Sequence, residues 1–147
     1  MKLEQLQEAK EKKAGDVVIN GKILGDYSKW DEDLDLNQSQ LTSLEGCPKE
    51  IDGSFFCAKN KLTSLEGGPE KINGYFSCSG NKLTSLKGCV EIAPDSFNGS
   101  DNKITSIEHC PKKVKKDLDL SNNKIKDLHN IHKYLLSCEC LYITSNP

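Results

Sequence analysis

Seven cysteines and three histidines are the most reactive side chains of this 147-residue chain, and four of them fall within residues 129–140. His129 and His132 are one helical turn apart, and Cys138 and Cys140 follow them. Imidazole and thiolate are ligands that Zn²⁺ prefers, but structural zinc sites more often separate paired cysteines by two to four residues. Only one residue separates this pair. The spacing favours an ordinary helix followed by a strand, and we expect no bound metal or other cofactor.

Nucleophilic catalysis is the second chemistry that the cysteines suggest. His109 and Cys110 are adjacent, but an activated thiol needs a base that a third group orients, and the sequence supplies no such group here. Most of the cysteines recur at fixed positions of a repeated phrase, where a free cysteine acts as a small buried hydrophobe. They are Cys57 and Cys78 at one position, and Cys47, Cys89 and Cys110 at another. We therefore predict that the protein is not an enzyme.

A third set of side chains is basic and regularly spaced. Four lysines recur every 21 residues and predict a positively charged edge: Lys61, Lys82, Lys103 and Lys124. Such an edge can bind an anion, including nucleic acid phosphate. Like charges about 5 Å apart repel by less than about 1 kcal/mol in water, so a solvated edge also explains the pattern. We favour the solvated edge because no aromatic residues interleave with the lysines and because Glu45, Glu66 and Glu108 lie in the next loop.

The 21-residue spacing extends through most of the chain. The phrase Leu41-Thr42-Ser43-Leu44 returns at residues 62 and 83, and as Ile-Thr-Ser-Ile at residue 104. A period of this length is the signature of a solenoid of stacked units. Each unit has a central asparagine, which we expect to bond buried backbone groups. These asparagines are Asn60, Asn81, Asn102 and Asn123.

Apolar residues surround each asparagine in a fixed pattern. Residues five positions before it form one predicted inward column: Phe55, Phe76, Phe97 and Leu118. A further column is predicted from Ile51, Ile72 and Val114. The pattern resembles the L-x-L-x-x-N-x-L core of the leucine-rich repeat, with Phe and Cys often replacing Leu. The resemblance covers Leu34 to Pro147, about six units with the last one truncated.

The short unit, with a proline after a Gly-Cys or Gly-Gly pair, is similar to the compact bacterial leucine-rich repeat. The phrase L-T-S-L-E-G-x-P also resembles repeat proteins that tailed bacteriophages encode. The family implies an α/β-type solenoid, a right-handed coil with a parallel β-sheet on its concave face and mostly irregular convex loops. Before the repeats, residues 1–14 favour a helix, and residues 17–24 favour a hairpin around Asn20-Gly21. We interpret residues 1–33 as an N-terminal cap and residues 34–147 as the repeats of one structural domain.

The outward side chains of the repeated strands define a concave surface that can bind a partner. Its flanks are acidic and its middle is small and polar, with Phe56 and Tyr75 on neighbouring strands. Exposed aromatic residues among hydrogen-bonding groups are typical of interface anchors. The alternative is that the two rings simply pack on each other across the strands. The candidate partner-binding residues are Asp33, Asp35, Phe56, Tyr75, Ser77, Asn98, Asp101, Asp117, Asp119 and Tyr142.

Composition narrows the expected function and location. A net charge of −2 gives no general attraction to nucleic acid or to an anionic membrane. No apolar run approaches the roughly 20 residues of a membrane span, and Met1–Leu6 lacks the apolar stretch of a signal peptide. We therefore expect a cytoplasmic protein-interaction module. The bacteriophage resemblance implies a bacterial host protein as partner, and we see no cap after the last strand, so its edge can also pair with a second copy.

The cysteine pattern generates the first prediction. We expect all seven cysteines to be free thiols, because an odd number without a secretion signal fits a reducing compartment. Alkylation under denaturing, non-reducing conditions followed by mass spectrometry should find every cysteine modified. A stoichiometric disulfide between Cys47 and Cys57, or between Cys138 and Cys140, would contradict both this expectation and the cytoplasmic location.

Overall fold

The computed structural model describes residues 18–19, 21–23 and 28–147. These residues form a parallel β-solenoid of about five turns with little helix, and equivalent residues in neighbouring turns are about 21 positions apart. The predicted helix at residues 1–14 lies outside the described residues. The predicted hairpin is present, because β1 (Val18–Ile19) pairs antiparallel with β2 (Lys22–Ile23). The Gly21 carbonyl accepts a hydrogen bond from the Thr42 amide, which attaches the hairpin to the first turn.

The main sheet consists of six short parallel strands. In spatial order they are β4 (Leu34–Asp35), β6 (Phe55–Phe56), β8 (Phe76–Ser77), β10 (Phe97–Asn98), β12 (Asp117–Asp119) and β13 (Cys140–Tyr142). The register repeats along the sheet, so that Phe76 lies opposite Phe55 on one side and Phe97 on the other. Each column of equivalent residues therefore crosses the strands at a right angle, roughly 4.8 Å per step.

Aromatic and aliphatic columns fill the interior. The Phe55, Phe76 and Phe97 rings pack in succession, with centroids 5.3 and 5.2 Å apart. Cys57 and Cys78 are fully buried beside them, as the repeat pattern predicts. The second predicted column, which consists of Ile51, Ile72 and Val114, is also buried. Ala93 is a fourth buried member of this column, which the sequence pattern did not identify.

This second column belongs to another set of short strands, which is interrupted. Its strands are β3 (Lys29–Trp30), β5 (Glu50–Ile51) and β7 (Lys71–Ile72) in one sheet, and β9 (Ile92–Ala93) and β11 (Lys113–Val114) in another. Elsewhere a ladder bond joins the turns, as between the Asn73 amide and the Ile51 carbonyl at 3.0 Å. Pro94 occupies the position equivalent to Asn73 and has no amide hydrogen to donate. The second sheet is therefore divided while the main sheet remains continuous.

The central asparagines hold neighbouring turns together. The Oδ1 atom of Asn81 accepts from the Leu62 amide at 3.0 Å, and its Nδ2 donates to the Cys57 and Cys78 carbonyls at 2.9 and 3.0 Å. Asn60, Asn102, Asn123 and Asn146 make the equivalent bonds in their own turns. We call these five residues the asparagine ladder. The ladder provides partners for loop amides and strand carbonyls that would otherwise be buried without a hydrogen bond.

The last turn differs from the others in length and content. A short helix, α1 (Ile131–Tyr134), replaces the irregular loop, where the spacing of His129 and His132 favoured a helix. Ile131 takes the place that Cys110 has one turn earlier, since both amides donate to the carbonyl three residues before them. No helix in the described part of the chain is both long enough and apolar enough to cross a lipid bilayer.

The ladder generates a prediction about stability. Asn81→Ala should lower the free energy of unfolding by about 1–3 kcal/mol, because the buried Leu62 amide loses its acceptor and the Cys57 and Cys78 carbonyls each lose one of two asparagine donors. Lys82→Ala should change it by less than about 0.5 kcal/mol, because that side chain is exposed. Urea unfolding of both variants provides the measurement. Equal midpoints for these neighbouring substitutions would refute the structural role of the ladder.

Candidate functional site

The outward side chains of the main sheet form the first candidate site, which we call the sheet face. It contains all of the predicted partner-binding residues except Asp101, which follows the strand end at β10. Asp33, Asp35 and Asp101 are exposed, as is Tyr142 at 46%. Most of the remaining predicted residues are half-buried, namely Phe56, Tyr75, Asn98, Asp117 and Asp119.

Ser77 is the exception, because only 6% of its surface is exposed. It lies in register between Phe56 and Asn98, and its hydroxyl is 3.3 Å from that of Ser79. A short side chain between two longer ones leaves little surface for a partner to contact. The sequence pattern could not show this burial.

The aromatic pair of the sheet face lies at its second and third strands. The Phe56 and Tyr75 ring centroids are 5.8 Å apart, with the ring planes inclined at 51°. Each ring is half-buried, so the pair shields part of its own surface and leaves the rest open to solvent. Ser54 is at the position equivalent to Tyr75 in the preceding turn, and its hydroxyl accepts a bond from the Tyr75 amide at 3.3 Å. The arrangement is a cross-strand contact that still presents aromatic surface outward.

Several acidic and amide side chains of the sheet face bond the backbone within their own turn. The Asp35 carboxylate accepts from the Asn37 amide, and the Asp119 carboxylate accepts from the Ser121 amide, both at 2.9 Å. Asn98 Oδ1 does the same for the Ser100 amide, also at 2.9 Å. These residues were predicted from their outward position alone, and the alternation of the strand did not indicate that they would bond the backbone. Each of these hydrogen bonds stabilises the end of its own strand.

Two other predicted carboxylates connect neighbouring turns. Asp33 Oδ1 accepts from the Ser54 amide at 2.6 Å, and Asp101 Oδ1 accepts from the Asn122 amide group at 2.9 Å. Both carboxylates remain exposed to solvent. They can therefore contribute charge to a partner while serving the fold.

The four lysines of the predicted basic edge are all exposed and lie in one column. Lys61 donates to the Gln40 side chain at 3.3 Å, and within residues 28–147 none of the four lysines forms an ion pair. Glu66, which lies in the next loop, does not pair with this column, because its carboxylate binds Lys87 at 2.8 Å. The Lys87 ammonium also lowers the pKa of Glu66, chiefly through that hydrogen bond.

Ion pairs elsewhere on the solenoid join equivalent positions of neighbouring turns, which sequence reasoning missed. Lys112 Nζ lies 2.6 Å from Glu91, and Lys116 Nζ lies 3.0 Å from Asp95. The signal was available in the sequence, since each acid and its base are 21 residues apart. Two further pairs follow the same rule: Lys49 with Glu70, and Lys71 with Glu50.

The thiols and imidazoles are not assembled into a reactive site in the described part of the chain. All seven cysteines are free, and no three His, Cys, Asp or Glu side chains among the described residues come together as metal ligands. Burial raises the pKa of Cys110 to about 11, so the thiol beside His109 is protonated at neutral pH. His109 itself has a φ of +66° and occupies the turn position that Gly46, Gly67 and Gly88 hold in earlier units.

Comparisons of the chain with protein-family models, with curated proteins and with solved structures find no match. The class of protein is therefore described from its fold and surfaces alone. It is a 21-residue repeat solenoid with a partly aromatic sheet face and a lysine edge that forms no ion pair with the described residues.

The burial of the thiols generates a prediction about reactivity. Brief treatment of the folded protein with iodoacetamide should modify the exposed Cys140 and spare Cys57 and Cys78, as peptide mass spectrometry can show. Burial raises the pKa of Cys78 to about 12, so this thiol should stay unreactive at pH 9. In the unfolded chain the same thiol ionises near pH 8.5. The free energy of unfolding should therefore fall as pH rises above that value. Labelling of Cys78 as rapid as that of Cys140 would contradict its burial.

Proposed function

We propose that this chain is a non-enzymatic leucine-rich repeat module that binds a partner protein through the sheet face. The asparagine ladder supports the repeat assignment, because each asparagine bonds the backbone of two turns at the position where the motif has its invariant polar residue. In a coil of this kind the parallel sheet lies on the concave side. Its outward side chains then converge on a partner that enters the curve.

The Phe56–Tyr75 pair is the observation that carries the proposal. Two half-buried aromatic rings lie among hydroxyl and amide groups, and carboxylates lie further out on both sides. Protein interfaces have this anatomy, with a desolvated aromatic centre and a polar rim. Truncation of such a central residue often costs 2 kcal/mol or more of binding free energy.

The rigidity of the sheet supports a binding role. Successive strands are connected by backbone bonds of 2.7–3.1 Å, such as those from the Leu36 and Phe76 amides to the next turn. A partner that docks on such a surface orders little additional backbone, so less free energy is lost to conformational entropy. The chain thus presents its side chains in a nearly fixed arrangement.

The charges of the sheet face suggest what the partner must offer. Asp33 and Asp35 lie at one end, and Asp117 and Asp119 lie at the other. Carboxylates at a rim mainly accelerate association with a basic surface and make the rate depend on salt. The resemblance to bacteriophage repeat phrases leads us to propose a bacterial host protein in the host cytoplasm as the partner.

The test is affinity capture from a bacterial lysate followed by binding measurements with the protein recovered. Phe56→Ala/Tyr75→Ala should remain folded and weaken that binding about thirtyfold or more, which corresponds to ~2 kcal/mol. Calorimetry with purified partner measures the affinity, and urea unfolding of the variant measures stability.

The matched control removes exposed apolar surface elsewhere. Ile92 and Leu136 are 53% and 62% exposed and lie outside the sheet face, so Ile92→Ala/Leu136→Ala should bind normally. A loss of stability well above ~1 kcal/mol in the aromatic variant would instead assign the ring pair to the fold. Failure to recover any stoichiometric partner, or equal loss of binding in both double variants, would refute the sheet-face proposal.

A further inference from the structure

The lysine edge continues into a second column of hydrogen-bond donors. In three successive units an exposed lysine and an exposed threonine flank a buried leucine or isoleucine, as in Lys82-Leu83-Thr84, and in the next unit Lys126 takes the place of the threonine. The Thr63 and Thr84 hydroxyls bond no described residue, so both remain available. We call this surface the Lys–Thr band, and it comprises Lys61, Thr63, Lys82, Thr84, Lys103, Thr105, Lys124 and Lys126.

Several other charged columns contain compensating pairs, whereas the band contains none within residues 28–147. Elsewhere an acid of one turn pairs with a base of the next, as Glu91 does with Lys112 and Asp95 with Lys116. Along the band, a lysine stands at the same position in four successive turns. Close stacking of like charges opposes folding slightly, and nothing in the fold requires it, because these side chains make no ion pair within residues 28–147.

The backbone holds the band in a fixed line. The Lys82, Lys103 and Lys124 amides each donate to the Leu or Ile carbonyl of the preceding turn, at 2.8–2.9 Å. Their Cα atoms therefore follow the ladder spacing of roughly 4.8 Å, and the four lysines span about 14 Å. An extended peptide rises roughly 3.3 Å per residue, so about four residues cover the band. The flexible lysine stems can adjust to the difference between the two spacings.

We propose that the Lys–Thr band binds an extended acidic peptide segment. The ammonium groups pair with its carboxylates, and the threonine hydroxyls donate to carboxylate or carbonyl oxygens between them. Single-stranded nucleic acid fits less well, because its binding sites combine basic grooves with aromatic side chains on which bases stack. The band contains no aromatic residue. This inference uses residues distinct from the sheet face and does not depend on that proposal.

Fluorescence anisotropy with a labelled oligoglutamate peptide provides the test, at low salt and at ~0.15 M salt. The wild-type chain should bind the peptide, and binding should weaken as salt screens the exposed charges. Lys82→Gln/Lys103→Gln should weaken binding about fivefold, because it removes two of the four ammonium groups that form exposed ion pairs with the peptide. A single-stranded oligothymidylate of similar length serves as the competing probe.

The control variant removes the same charge elsewhere. Lys113 and Lys115 are exposed and form no ion pair with the described residues, so Lys113→Gln/Lys115→Gln should keep the wild-type affinity. No binding of oligoglutamate at low salt would overturn the proposal. Equal weakening in both double variants would also overturn it, because the attraction would then be unspecific. Tighter band-dependent binding of oligothymidylate would assign the band to nucleic acid instead.

Discussion

The need to give every buried backbone group a partner is the constraint on which this structure depends. The asparagine ladder meets it by joining turns, so that the Cys57 carbonyl accepts from both Asn60 and Asn81. At the same strand ends, the Asp35 and Asp119 carboxylates accept from backbone amides of their own turns. Part of the acidity of the sheet face therefore originates in the fold, before any partner is considered.

Much of the fold followed from the period, because stacking places equivalent residues in one column and each column must be uniformly buried or uniformly exposed. That logic identified the phenylalanine column and the structural asparagines. It failed where a column contains an atypical residue, as with Ala93. The divided second sheet was also missed, although the absence of a donor at Pro94 is visible in the sequence. The carboxylate contacts were not predictable, because they depend on backbone groups that the asparagines leave without partners.

The two candidate surfaces are opposite in character and are held by the same scaffold. The sheet face has acidic ends around an aromatic centre, whereas the Lys–Thr band is basic and contains no aromatic residue. Only the end of each strand and its asparagine separate them along the chain. A partner that met both surfaces would need a basic rim on one side and an acidic segment on the other. Such a pattern would discriminate strongly between partners, because a reversed orientation brings like charges together.

The interruption at Pro94 has a consequence for how the array comes apart. Repeat proteins derive their cooperativity from contacts between nearest neighbours, so the weakest junction decides where unfolding divides the molecule. The turns on the two sides of Pro94 are connected through the main sheet and the asparagine ladder, but the second sheet does not join them. This junction has fewer backbone bonds than those beside it. Partial unfolding would thus separate an N-terminal block from a C-terminal block. Under a pulling force, the chain would first come apart at the junction beside Pro94.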